Sequence, residues 1–207
     1  MRALRALGLI AALAVGGALA GAAPGAAQAA SLGGMVLVAN EGMPDPRFQE
    51  TVIYMIDHDE GGAFGLVVNK PISTGPIAAL LDRLQIDPGE EGGDEVQGSI
   101  TVHYGGPVEP ERGLILHSDD YAIEGTQPVS AGIALTGRTD VLRDIAHGRG
   151  PGRSLLLFGY CGWGPAQLEG EIARGDWTIV DADPDLVLGT DHEDKWRRLQ
   201  RGDGIFI

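Results

Sequence analysis

The chain has 207 residues, a formal net charge of −14 at pH 7 and one cysteine. This acidity argues against a nucleic-acid-binding protein, because an acidic chain repels a phosphate backbone. A single cysteine excludes an intrachain disulfide, so burial of apolar side chains has to hold the fold together.

The first 29 residues have the three-part pattern of a secretory signal peptide. Arg2 and Arg5 form a basic start, an uncharged apolar stretch runs from Leu7 to Ala20, and Ala27–Ala29 provides a small-residue cleavage site. That stretch is shorter than the roughly 20 residues of a membrane span. The alternative is that translation starts at Met35 and that the protein is cytoplasmic, without a signal peptide.

Cleavage after residue 29 of 207 would leave 178 residues, and loss of the two arginines would take the charge from −14 to −16. That length suits a single domain, residues 30–207, with a sizeable core. No second long apolar run follows, so we expect no membrane span in the mature chain. The expected location is the periplasm or outside the cell.

The first half of the predicted domain is dominated by strands. Short apolar and β-branched runs predict strands at Met35–Ala39, Thr51–Asp59 and Ala63–Pro71. The turn between the last two strands contains Gly61 and Gly62, which predicts a β-hairpin. Ile77–Gln85 is predicted to be helical, with Ser73 or Thr74 near its start, and the acidic, glycine-rich stretch Asp87–Ser99 to be a mobile surface loop.

The second half mixes strands and helices. The predicted strands are Ile100–Val108, Gly113–Ser118, Pro128–Gly137, Arg153–Tyr160 and Trp177–Asp183. The predicted helices are Thr139–Gly150, Ala166–Arg174 and Thr190–Gly202, with Thr139 and Thr190 as caps and Pro165 in the first turn of the middle helix. Because strands occur in runs as well as alternating with helices, an α+β fold is favoured over a regular parallel α/β sheet.

Three stretches resemble the AlgH/YqgE family of bacterial proteins: "PDPRFQETVIYMIDHDEGGAFGLVVNKP", "YGGPV" and "GYCGWGPAQLEGEI", followed by Trp177. The resemblance extends from Gly34 to the C-terminus. It implies a bent, mixed but mostly antiparallel sheet that forms a partial barrel, with helices packed outside. The resemblance implies no settled biochemical activity. The family carries the label of transcriptional regulator, but that label does not rest on a DNA-binding motif.

The chain departs from the family pattern in two respects. Members of the family usually lack a signal peptide and are cytoplasmic. They also usually carry alanine where this chain has Cys161, and glycine where it has Ala166.

The cysteine motif raises the question of nucleophilic catalysis. Gly159–Gly162 matches the first four positions of a nucleophile elbow, but Trp163 occupies the fifth, where a small residue is needed. His192 follows late enough in the chain to act as a base, so a cryptic hydrolase or transferase using Cys161 is one hypothesis. The alternative is that Cys161 is a small buried residue that replaces alanine, and the family resemblance favours this alternative.

The histidines offer weak metal candidates. His103 and His117 lie on neighbouring predicted strands and could face each other, but their spacing is not diagnostic of zinc. His58 and Asp59 point to opposite faces of one strand, so they cannot share an ion without a bulge. We predict neither a bound metal nor a cofactor.

The remaining polar candidates lie at predicted strand ends and turns, where binding sites often form. They are Asp45, Arg47, His58, Asn69, Gly106, Trp163, Gln167 and Glu169. A structural interpretation competes for each: Asp45 as a cap, Asn69 as a brace and Trp163 as core. We expect a non-enzymatic binding or regulatory protein whose partner is an unknown protein or a small polar ligand.

Overall fold

The computed structural model describes residues 31–89, 96 and 98–202. The predicted signal peptide lies outside these residues, as do positions 90–95 of the predicted surface loop. None of the helices in the described ranges has the length and apolar character needed to cross a membrane.

Ten strands within the described residues form one curled sheet. They are β1 (Met35–Ala39), β2 (Val52–Asp59), β3 (Gly62–Val67), β4 (Pro71–Pro76), β5 (Ser99–Tyr104), β6 (Val108–Ser118), β7 (Thr126–Ser130), β8 (Ile133–Thr136), β9 (Ser154–Trp163) and β10 (Trp177–Asp181). The main order is β10-β1-β2-β3-β9-β6-β8-β7, with β4 paired to β5 and β5 paired to β9. The β5–β9 pair is parallel, and the other pairs of the described strands are antiparallel.

Five α-helices of the described residues accompany the sheet. They are α1 (Ile77–Arg83), α2 (Val141–Ala146), α3 (Gln167–Ala173), α4 (Pro184–Leu188) and α5 (His192–Gln200), and a 3-10 helix covers Pro46–Phe48. The predicted α+β class and the curled, mostly antiparallel sheet are confirmed. The predicted hairpin is β2–β3, in register from Ile53–Val67 to Asp59–Gly62 across one bulge.

The predicted caps Thr139 and Thr190 are wrong, because Asp140 and Asp191 occupy the N-cap positions of α2 and α5 and neither helix has a side-chain cap. Ser73 and Thr74, expected near the start of α1, lie inside β4, and α1 begins directly after Pro76 without a side-chain cap. The sequence analysis also missed α4, whose first turn is capped by the Asp183 carboxylate through the backbone N–H groups of Asp185 and Leu186, each at 2.8 Å.

One of the three apolar clusters of the core lies beneath the site described below. Its buried members come from β1, β2, β3, β9, β10, α3 and the loop after β1: Leu37, Ala39, Met43, Ile53, Met55, Val67, Cys161, Trp163, Leu168 and Trp177. Large side chains from distant parts of the sequence meet here, so this end of the sheet has a core of its own.

Candidate functional site

Strand β9 continues through the cysteine motif instead of ending before it. The register pairs Gly65 with Cys161 and Ala63 with Trp163 across β3–β9. Cys161 and Trp163 are buried while Gly162 between them is exposed, as the alternation of a strand requires. The nucleophile elbow that the motif suggested as one hypothesis is therefore not formed, because Cys161 does not lie on a turn between a strand and a helix.

The thiol is poorly placed for nucleophilic chemistry. Cys161 is 1% exposed, and its Sγ lies 3.7 Å from the Gly105 carbonyl oxygen. Burial raises the pKa of Cys161 to about 12, against smaller opposing effects of Lys70 and Arg47. In the part of the chain that is described, the His192 ring contacts His103 instead, with 3.3 Å between the two Nε2 atoms.

The two histidines considered as weak metal candidates, His103 and His117, do not face each other. Strand β9 lies between β5, which carries His103, and β6, which carries His117. His117 instead makes a 2.8 Å hydrogen bond to Thr136 Oγ1. No group of three or more potential metal-ligating side chains occurs within the described ranges.

A cavity of about 280 Å³ opens at the end of β9. Four of the predicted binding residues line it: Asp45, Arg47, Trp163 and Gln167. The other lining residues are Met43, Pro44, Phe48, Pro107, Val108, Cys161, Gly162, Glu171, Arg174 and Asp176. We call this cavity the tryptophan pocket. Its walls come from the loop after β1, the turn before β6, the end of β9 and helix α3 with the loop that follows.

Glu171 is the central polar residue of the tryptophan pocket, and sequence analysis did not single it out. Its Oε2 accepts hydrogen bonds from the indole Nε1–H groups of Trp163 and Trp177, each at 2.9 Å. Its Oε1 accepts a hydrogen bond from Gln167 Nε2 at 3.0 Å. These three neutral donors hold the carboxylate in one orientation, and no cation is among them.

The start of α3 places Gln167 and Glu171 on one face. Ala166 has φ of 59°, in the left-handed region, so the chain turns sharply after Gly164 and Pro165 before the helix begins at Gln167. Pro165 therefore precedes the helix, and the prediction that it lies in the first turn is wrong. Gln167 and Glu171 are four residues apart, the spacing of neighbours on a helix surface, which is a signal that could have identified Glu171.

Two ion pairs stand at the rim of the tryptophan pocket. Arg47 binds both carboxylate oxygens of Asp45, through Nε at 3.1 Å and Nη2 at 2.6 Å, and this contact lowers the pKa of Asp45. Asp45 also caps the 3-10 helix, as its structural interpretation predicted. Arg174 Nη2 lies 2.8 Å from Asp176 Oδ2. Both guanidinium groups therefore already have a carboxylate partner.

Trp177, which does not line the pocket itself, connects the two lining aromatic residues Phe48 and Trp163 through edge-to-face contacts. Phe48 and Trp177 meet edge to face with ring centroids 5.7 Å apart, and Trp177 meets Trp163 at 6.4 Å. The Arg47 guanidinium lies 5.7 Å from the centroid of Phe48. The pocket thus combines an aromatic wall with a fixed carboxylate.

The other predicted residues do not line the pocket, and two of them support the sheet. Asn69 accepts the Val52 N–H and donates to the Glu50 carbonyl, both at 2.8 Å, which braces the start of β2. Gly106 has φ of 153°, and a Cβ on it would lie 2.1 Å from the Tyr160 carbonyl carbon. Both residues therefore have a structural role.

His58 and Glu169 contact each other, 3.0 Å apart, and connect β2 to α3. The Nδ1 atom of His58 accepts the Leu32 N–H, so Nε2 carries the proton that bonds Glu169. This pair fixes α3, and with it Glu171, against the hairpin.

Comparison with known proteins gives one consistent result. Residues 36–206 match the family model described as DUF179, AlgH-like. A UPF0301 protein of Ruegeria pomeroyi is 45% identical over 175 residues, covering 84% of this chain and 92% of that protein. A UPF0301 protein of Caulobacter vibrioides is also 45% identical over 175 residues, covering 83% and 87%.

Two solved structures share the fold. The solution structure of the AlgH protein from Pseudomonas aeruginosa has a TM-score of 0.69 and 32% identity, covering 87% of this chain and 93% of that one. A crystal structure of a Corynebacterium diphtheriae protein has a TM-score of 0.63 and 21% identity, covering 82% and 85%. The family resemblance noted in the sequence is confirmed, and the chain belongs to the AlgH-like family, also named UPF0301, whose function is uncharacterised.

Proposed function

We propose that this chain is a non-enzymatic binding protein that acts by taking a small polar ligand, or one side chain of a partner protein, into the tryptophan pocket. The observation that carries the proposal is the carboxylate of Glu171, which three side chains hold in place inside a partly apolar cavity. Polar groups oriented before the ligand arrives reduce the entropy cost of binding. A few fixed polar groups on an otherwise apolar wall are typical of ligand pockets.

The size of the pocket favours a small occupant. Its volume of about 280 Å³ lies just below the roughly 300–1,000 Å³ of pockets that enclose drug-sized molecules. A nucleotide or a large cofactor is therefore disfavoured, and a single amino-acid side chain or a small metabolite is favoured. A regulatory role would be exercised through this contact, since the net charge of −14 opposes association with DNA.

Nucleophilic catalysis has less support, although Cys161 lines the same pocket. A thiol whose pKa is raised to about 12 is protonated at neutral pH, and His192 is engaged with His103. Turnover of an ester or thioester substrate by the purified protein, abolished in Cys161→Ala, would contradict a non-enzymatic function.

The binding proposal can be tested through the tryptophan side chains. Trp163 and Trp177 report on the pocket because both indoles bond Glu171, whereas the Trp196 indole donates to the Ala39 carbonyl at 2.6 Å and serves as an internal reference. A panel of small polar fragments should shift the Trp163 and Trp177 indole N–H resonances saturably and leave Trp196 unchanged. Val108→Phe, which adds bulk to a lining residue, should abolish these shifts. The matched variant Ile179→Phe, at an exposed position of β10, should retain them.

We further propose that the protein is exported. The support is the pattern of residues 1–29, with its basic start, apolar stretch and small-residue cleavage site. N-terminal sequencing of protein from the periplasmic fraction should begin at Ala30, whereas a cytoplasmic product that begins at Met35 would refute export.

A further inference from the structure

The charged groups that line the tryptophan pocket do not balance. Three carboxylates, Asp45, Glu171 and Asp176, face two guanidinium groups, Arg47 and Arg174, which leaves one formal negative charge. Arg47 is paired with Asp45 and Arg174 with Asp176. Among the lining residues, the uncompensated charge is therefore that of Glu171.

The carboxylate of Glu171 also retains hydrogen-bonding capacity. Two oxygens offer about four acceptor positions. Both positions of Oε2 are taken by the indoles of Trp163 and Trp177, and one position of Oε1 is taken by Gln167. One acceptor position on Oε1 stays available, and a donor that also carries a positive charge would satisfy both the geometry and the charge.

The remaining walls suit an apolar stem and a cation. Met43, Pro107 and Val108 present aliphatic surface, while Phe48 and Trp163 present aromatic surface. Aromatic faces attract ammonium and guanidinium groups, and one cation, Arg47, already lies over Phe48. An anionic occupant would have to displace a carboxylate from one of the two rim arginines.

Building on the proposed function, we propose that the tryptophan pocket selects a primary ammonium group on an apolar stem, with Glu171 as its counter-ion. A lysine side chain of a partner protein and a small free alkylamine present the same chemistry to the pocket. The net charge of −14 of the whole chain adds an attraction for cations that weakens as salt is added.

The test uses three ligands of nearly equal size and different charge: n-butylammonium, n-butanol and butyrate, each titrated at constant ionic strength. The indole N–H resonances of Trp163 and Trp177 should move saturably with butylammonium, and that of Trp196 should not. The affinity for butylammonium should exceed that for either other ligand at least tenfold, because a charge-assisted hydrogen bond contributes about 1.5–3 kcal/mol.

Variants separate the role of Glu171 from that of overall charge. Glu171→Gln should weaken butylammonium binding at least tenfold, whereas Glu193→Gln, an exposed position in the first turn of α5, should not weaken it. Arg174→Gln should strengthen binding severalfold, since it removes a positive charge from the rim. Because Arg174→Gln is expected to strengthen binding and Glu171→Gln to weaken it, Arg174→Gln still tests the proposal if Glu171→Gln does not fold.

A capped lysine amide distinguishes the two sources of the ammonium group. If it binds at least as tightly as butylammonium, and its norleucine analogue does not bind, a partner protein is the source. If only the free amine binds, the occupant is a small amine. Equal or tighter binding of butanol or butyrate would overturn the ammonium proposal while leaving a binding pocket in place. A complete lack of response to these ligands and to the fragment panel would overturn the binding function itself.

Discussion

Acidification from pH 7 to pH 4.5 should destabilise the protein through a buried histidine pair. His103 on β5 is 1% exposed, its Nε2 lies 3.3 Å from His192 Nε2 at the start of α5, and its Nδ1 lies 3.3 Å from the Leu156 carbonyl oxygen. Burial, and then the neighbouring His192 and the ammonium of Lys195, lower the pKa of His103 from 6.5 to about 4. The folded state therefore holds this imidazole neutral.

The magnitude follows from proton linkage. Below pH 6.5 the unfolded chain protonates His103 while the folded chain does not, so stability is fully present above pH 6.5 and falls as the pH drops towards 4. Each pH unit in this interval costs about 1.4 kcal/mol, which gives a loss of about 2–3 kcal/mol by pH 4.5. His192 adds to the loss in the same direction, because burial and Lys195 also lower its pKa.

Urea unfolding at pH 7.0, 5.5 and 4.5 measures this loss as a change in the free energy of unfolding. His103→Gln should be less stable than the wild type at pH 7 but should lose about 2–3 kcal/mol less between pH 7 and 4.5. Thr74→Val serves as a matched control, since it removes the hydrogen bond to Thr101 but no ionisable group, and it should leave the slope unchanged. The reasoning is refuted if His103→Gln and the wild type lose stability in parallel.

Three further predictions concern single residues. Native Cys161 should react with an aromatic disulfide reagent at pH 8 more than about 100-fold slower than the unfolded thiol, because its pKa is about 12 and it is buried. Asn69→Ala should cost about 1–3 kcal/mol in chemical unfolding, since a buried N–H of β2 loses its acceptor; a loss below 0.5 kcal/mol would contradict this role. Gly106→Ala should lower the melting temperature far more than Gly148→Ala. Both glycines have positive φ, but only at Gly106 would a Cβ meet backbone atoms, those of Tyr160.

The sequence identified the hairpin β2–β3 and the α+β class because those features have local causes. β-Branched and aromatic residues specify Val52–Asp59 as a strand, and Gly61-Gly62 specifies the turn that follows. The helix starts at α1, α2 and α5 were misassigned because serine and threonine are only candidates for caps. Whether one of them acts as a cap depends on where the chain enters the helix, as Pro76 shows at α1.

The sequence predicted only part of the candidate site, because the role of its residues also depends on how the fold brings them together. Asp45, Arg47, Trp163 and Gln167 were recognised as polar or aromatic residues near strand ends, and the fold brings them to one cavity. Glu171 was missed because its local sequence offers only one weak signal, its spacing of four residues from Gln167. Its role depends on hydrogen bonds from two indoles that lie on different strands, Trp163 on β9 and Trp177 on β10.

The three family stretches meet at strand β9. A Cβ on Gly62, at the hairpin turn of the first stretch, would lie 2.2 Å from the Trp163 carbonyl oxygen. A Cβ on Gly106, in the second stretch, would lie 2.1 Å from the Tyr160 carbonyl carbon. Both glycines thus let other backbone segments approach the third stretch, which keeps β9 extended as far as Trp163. That extension buries the thiol of Cys161 and directs the Trp163 indole towards Glu171, so the feature that removes the nucleophile elbow also builds the tryptophan pocket.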